Sequence, residues 1–231
     1  PIRGQRPKQF KTAVMFNRDA LYERDDAVRA LAEFYDGCGF TSVHLPEGKF
    51  SLAVAERGID RYVQPYWMCN GYRIGSQEKP DEAKFQFVDG TYHVNGICPV
   101  EVYKRGEYFQ NHVVDDQLRK LIVTTRQTDH IMPNWEPYMF DFKGCFCTRC
   151  RDEFQKYTAL PEQEVAALWP DSVIMKHRDT WITFRSWQHA QMMMTFEAVV
   201  NGLGKEVGID SHFVPEVAWS GLIPGGHSLH P

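Results

Sequence analysis

Three stretches in a row decide the fold class: Lys11-Thr12-Ala13-Val14-Met15-Phe16, then Asp19 to Asp36, then Phe40-Thr41-Ser42-Val43-His44-Leu45. The first and third are short apolar runs of strand type. Between them Leu21, Ala27, Val28, Leu31 and Phe34 recur near helical spacing, and Gly37 and Gly39 end the run. Strand, helix, strand predicts a parallel pair with a covering helix. Outward from that unit the rhythm repeats. Ser51 is a candidate cap for a short helix that ends near Arg57-Gly58, and Asp60–Trp67 is a third strand weakened at its end by Pro65. Residues 70–105 break the rhythm with glycines, prolines and charges, and Lys84–Val88 and Thr91–Val94 are possible hairpin arms. We expect a long insertion of the kind that caps a site. A helix from Tyr108 to Arg126, a fourth strand Asp129–Asn134, a helix after the cysteines up to Tyr157, a long helix Lys176–Val207 and a fifth strand Ile209–Trp219 complete the reading.

Irregular excursions after strand ends favour a (β/α) TIM-type barrel within the α/β class. Five strands over 231 residues give about 46 residues per unit, so eight units would need about 370. The expectation is therefore a single barrel domain over residues 1–231, carrying about five of eight units, with the insertion after the third strand. The N-terminal residues Pro1 to Lys8 hold no apolar signal core, and both ends read as cut. Reduced thiols fit the cytoplasm and a removed leader fits a secreted or periplasmic location, so the sequence leaves the compartment open.

Composition narrows the function classes. With 26 Lys+Arg against 30 Asp+Glu, the formal net charge is −4, and no basic stripe is visible, so nucleic acid is not an expected partner. No run approaches 18 apolar residues, which argues against a membrane span. No strand is followed by a glycine-rich phosphate or dinucleotide turn; Asn201-Gly202-Leu203-Gly204 falls at a helix end. Aromatic residues make up 13% of the chain, enough for a large core or for a ring-binding cleft.

Six cysteines occur: Cys38, Cys69, Cys98, Cys145, Cys147 and Cys150. The last three form C-x-C-x-x-C, which chelates better than it pairs into a disulfide. A structural zinc takes four such ligands. Cys98 in the insertion is the expected fourth ligand, with Cys69 in reserve. Buried unpaired thiols, or a disulfide with one cysteine left over, are the alternative. Four thiolates leave no open position for water, so the zinc would be structural and would staple the insertion to the loop after the fourth strand.

Just before the cysteines stands Met132-Pro133-Asn134-Trp135-Glu136-Pro137-Tyr138. The C-terminal tip of a barrel strand is the active face, and alternation points Asn134 and Glu136 the same way. Glu136 amid Trp135, Pro137 and Tyr138 would be partly desolvated, which suits a general acid; a surface carboxylate beside a packing Trp is the other reading. Other tips offer His44 and Glu47 on the second strand, Trp67 on the third, and Glu216 and Trp219 on the fifth. Aromatic faces stack on pyranose rings, although an isolated Trp is more often core. His112, His130, His177, His189 and His212 show no metal-like spacing.

Strand, Asn-x-Glu, spacer, C-x-C-x-x-C and a helix opening Arg151-Asp152-Glu153-Phe154 together resemble glycoside hydrolase family forty-two. The specific part spans Cys98 to Tyr157. The resemblance implies a (β/α)8 barrel of the retaining β-galactosidase type acting on a carbohydrate. It implies Glu136 as acid/base, Asn134 beside it, and a zinc held by Cys145, Cys147, Cys150 and Cys98 (145 − 98 = 47 residues upstream). It also implies a possible homo-oligomer. Here Trp135 intervenes between the Asn and the Glu, which points to a divergent relative. Retaining enzymes use two carboxyl groups about 5–5.5 Å apart. The family's nucleophile ends the seventh strand, so it is expected beyond this chain, with Glu216 as the in-chain substitute. A non-catalytic, zinc-stapled sugar-binding or structural barrel domain is the alternative.

Overall fold

The computed structural model describes residues 13–15, 24–44, 48–63, 65, 68–69, 73–74, 78–126, 128–133 and 144–214. Among the described residues, two small sheets carry the architecture. The first is parallel, built from β1 (Ala13–Met15), β2 (Ser42–His44), β3 (Asp60–Val63) and β8 (His130–Ile131), in the order β1-β2-β3-β8. A parallel bridge from Ile131 to Phe213 adds a fifth segment beyond β8. The second sheet is antiparallel and lies in sequence between β3 and β8. Its strands are β4 (Met68–Cys69), β5 (Arg73–Ile74), β6 (Lys84–Gln86) and β7 (Tyr92–Ile97), ordered β4-β5-β7-β6.

The helices follow from apolar spacing. In α1 (Asp25–Gly37) Val28, Ala32 and Tyr35 are buried, Asp25 and Asp26 favour its N-terminal end, and Gly39 follows it with φ 77°. The next helix, α2, runs Gly48–Ala55, so Ser51 is a buried interior residue and not the cap expected from sequence. Val28, Ala32, Val43, Phe50 and Val54 share one core, which seats α1 and α2 on one face of the parallel sheet.

A short helix, α3 (Pro99–Tyr103), follows β7, and a π-type helix then spans Phe109–Leu118 and continues as Lys120–Thr124. The amide of Thr125 bonds back five residues to the Lys120 carbonyl at 2.9 Å. The sequence predicts this helix but not its wider hydrogen bonding. After the cysteines come α4 (Thr148–Thr158), α5 (Glu162–Leu168), α6 (Val173–Lys176) and the long α7 (Arg178–Glu206). Met192, Phe196, Val199 and Leu203 of α7 are buried, as the spacing of four and three predicts. They pack with Phe109, Val113, Leu118, Ile131 and Phe213 in the largest core.

Much of the aromatic surplus is core. Phe146, Phe154, Trp181 and Phe184 are buried beneath α4, α5 and α7, and Trp169 and Trp187 pack against them. Phe146 and Trp181 stack with centroids 4.9 Å apart and planes 6° from parallel. No helix among the described residues is long and apolar enough to cross a membrane.

Candidate metal centre

The antiparallel sheet and α4 meet at a cluster of sulfurs. β7 ends at Ile97, and Cys98 follows in extended backbone before Pro99 opens α3. Pro at that position carries no amide that would need a partner. Cys147 is the N-cap of α4, with extended backbone, and Cys150 is its third residue. Side chains at those two positions converge over the first turn, the geometry a capping box uses. Cys145 precedes them on a segment zipped to β6: the Phe146 amide donates to the Gln86 carbonyl at 2.9 Å, and the Gln86 amide donates to Cys145 Sγ at 3.3 Å.

Cys98, Cys145, Cys147 and Cys150 all place their sulfurs within 4.8 Å of one another. The Cys98 Sγ to Cys147 Sγ distance is 3.5 Å, and Cys98 Sγ to Cys150 Sγ is 3.7 Å. A tetrahedron with metal–sulfur bonds of about 2.3 Å has edges of about 3.8 Å. The four cysteines carry free thiols, three of them buried. The donor set therefore fits one tetrahedral metal ion, with no position left open. Cys98 is the fourth member, as expected. Cys69 lies in β4, and its side chain is outside the described residues. The cluster brings Cys98, after β7, next to the cysteines at the start of α4.

The electrostatics of the sulfurs are divided between neutral thiol and thiolate. Burial pushes the Cys98 and Cys150 thiols well above the ordinary value. Hydrogen bonds from Cys145, Cys150 and Cys98 pull the Cys147 thiol well below it. A helix N-terminus favours that thiolate. Gln188 of α7 directs its Nε2 toward Cys150 Sγ at 3.7 Å and toward the Tyr103 hydroxyl at 3.3 Å, while the Arg185 guanidinium donates to the same Gln188 side chain. Arg149 pairs with the buried Glu101 at 2.8 Å. Burial opposes the Arg149 charge, but Cys98 and Glu101 outweigh it and raise its pKa. Glu101 also accepts the Phe109 amide at 3.2 Å. Such outer partners orient ligands and offset thiolate charge. Arg149 is visible inside C-x-C-x-x-C; Gln188 and Glu101 carry no sequence signal for this role.

Of the other candidates, His44 ends β2 and is 2% exposed. Glu136, Asn134, Tyr138, Glu47, Trp67, Glu216 and Trp219 lie outside the described residues. The chain matches no protein-family model and no curated protein.

Proposed function

We propose that this chain is the core of a glycoside-hydrolase-like protein acting on a β-galactoside-like carbohydrate, on a (β/α) barrel stapled by structural zinc. The observation that carries the reading is the convergence of Cys98 with the C-x-C-x-x-C that follows the fourth parallel strand in sequence. A sequential parallel order from β1 through β8 to Phe213 supports a barrel wall. Zinc is preferred among ions that take four thiolates because closed four-cysteine sites are its usual structural pattern. The ion would hold the excursion and α4 in place; it would take no part in the reaction.

In this reading Glu136 is the proton donor to the leaving oxygen, and Asn134 beside it binds a substrate hydroxyl. A second carboxylate attacks the anomeric carbon. Glu216 is the in-chain candidate for that role, and a strand tip further along a longer chain is the other.

The test is Glu136→Gln in the full-length protein, assayed on aryl β-galactosides. Loss of a general acid lowers kcat by about 10²–10⁴-fold. Wild-type turnover in that variant would remove Glu136 from the mechanism. Elemental analysis of the purified protein tests the metal: one zinc per chain is expected, and one iron with a visible thiolate band would reassign the ion.

A further inference from the structure

On one face of the parallel sheet, side chains form a register row. His44 is paired in register with Tyr62, and Tyr62 with His130. Alternation along each strand sets their direction. Val43, between Ser42 and His44, packs into the core with α1 and α2. Arg61, beside Tyr62, reaches back to Ser51 of α2 and to Asp129. Ser42, His44 and Tyr62 therefore face away from those helices.

Two members of the row are engaged. Tyr62 and His130 stack with centroids 4.5 Å apart. His130 Nδ1 accepts the His212 amide at 3.1 Å, and its Nε2 lies 3.5 Å from Asp60. His44 differs. It is 2% exposed, and neither ring nitrogen finds a hydrogen-bond partner among the described residues. Burial pushes its pKa below the ordinary value, so the ring is neutral. A neutral imidazole offers one donor and one acceptor, and buried polar atoms are nearly always satisfied. Its position is also informative. His44 is the last residue of a parallel strand, and ligands of parallel α/β sheets sit beyond strand C-termini.

We propose that His44 is a ligand-contact residue that binds two hydroxyl groups of a polyhydroxylated ligand, donating to one through one ring nitrogen and accepting from the other through the second. The inference rests on the carbohydrate reading for the identity of the ligand. Ligand chemistry follows from the ring. A hydroxyl both donates and accepts, so hydroxyls of one ligand can meet the donor nitrogen and the acceptor nitrogen separately. A phosphate or carboxylate only accepts, and would leave the acceptor nitrogen unmet unless the ring were protonated, which burial opposes. An ammonium group only donates. A single buried water shares the hydroxyl's chemistry, and the experiment separates the two.

The experiment compares wild type, His44→Phe and His44→Gln in the full chain. Thermal midpoints are measured, and titration calorimetry is run with methyl β-galactoside and lactose. A polar ring kept unmet for a ligand weakens the folded state, so His44→Phe is expected to hold or raise the midpoint. The same variant is expected to lose about tenfold or more in saccharide affinity, with His44→Gln in between. A lowered midpoint in His44→Phe would mark a structural histidine satisfied by water and overturn the proposal. Unchanged saccharide affinity would also overturn it. If wild type binds neither saccharide, the carbohydrate reading falls, and the midpoint comparison still decides whether His44 is kept for a ligand.

Discussion

Cys98 and Cys150 hold their sulfurs 3.7 Å apart although 52 residues separate them in the chain. Everything between them, from α3 through the π-type helix and β8, forms one loop closed at that point. Closing so long a loop costs entropy that a metal ion would recover by binding only the folded arrangement. A metal held there would therefore couple the stability of the excursion to that of α4.

Replacing a ligand tests that link. Cys98→Ser and Cys150→Ser are each expected to abolish stoichiometric metal and to destabilise the protein by about 3 kcal/mol or more. For a chain of this size that is a fall of about 6–12 °C in the thermal midpoint. Cys38→Ser, at an exposed free thiol, is the control and is expected to change neither. Metal content by elemental analysis, with thiol titration before and after chelation, supplies the readout.

A second prediction concerns the shell around the sulfurs. A methyl group at Gly106 would meet the Glu101 carboxylate. That carboxylate cannot swing aside freely, because it is 3% exposed and bonded to Arg149 and the Phe109 amide. Gly106→Ala is expected to cost about 1–3 kcal/mol and to speed metal loss to a chelator. A methyl group at Gly202, inside α7, would meet no atom of another element within 4 Å. Gly202→Ala is expected to stabilise by about 0.5–1 kcal/mol. Chemical denaturation midpoints of the two variants should move in opposite directions.

The contrast between these sites shows what a sequence can reveal. C-x-C-x-x-C is local, so three candidate ligands and the helix after them are legible; ligand count asks for a fourth, and only the structure sets Cys98 there in place of the reserve Cys69. The apolar stripe Met192, Phe196, Val199, Leu203 is equally local and marks the buried side of α7. Long-range partners are not legible. Gln188 approaches Cys150 from 38 residues away with no spacing rule to announce it. The helices α5 and α6 escape a sequence reading because seven and four residues give too little periodicity. Pro161 followed by Glu162 and Glu164 is the start signal that α5 does carry. Ser51 misleads for a related reason: a serine near a helix start suggests a cap, but here its hydroxyl accepts from the Arg61 guanidinium at 3.4 Å inside the fold.

Arg61 also supports an acid-stability prediction. Its guanidinium takes both Asp129 oxygens at 2.9 Å, and its amide donates to the same carboxylate. Burial pushes the Asp129 carboxyl up, but the Arg61 hydrogen bonds and charge outweigh it, leaving the pKa below the ordinary value. The folded protein thus prefers the ionised form more than the unfolded chain does. Its stabilisation is complete above the unfolded pKa of about 4 and is lost as pH falls through the lower folded value. Asp129→Asn is expected to cost about 3 kcal/mol at neutral pH by stranding a buried guanidinium. It should also flatten the fall in stability below about pH 4. Denaturation midpoints across a pH range of about 2–7 would show a parallel offset instead if the pair contributed nothing to acid sensitivity.

The opposite sign holds at His212. Glu197 of α7 accepts His212 Nδ1–H at 2.8 Å through one oxygen and the Phe213 amide at 2.7 Å through the other. That hydrogen bond from the ring, with the Glu197 and Asp210 charges, raises the His212 pKa above 6.5 against a smaller desolvation effect. The stabilisation is fully present below the unfolded pKa of 6.5 and is lost as pH rises through the raised folded value. The segment 212–214 holds to β8 by the Ile131 amide on the His212 carbonyl and the Val214 amide on the Ile131 carbonyl. Its docking is therefore expected to loosen above neutrality, read as faster amide exchange at Phe213 after correction for intrinsic pH effects. Glu197→Gln should return the His212 titration, followed by NMR, toward 6.5 and remove the pH dependence of that exchange. A His212 titration at or below 6.5 in the wild-type protein would show that Glu197 does not clamp this segment.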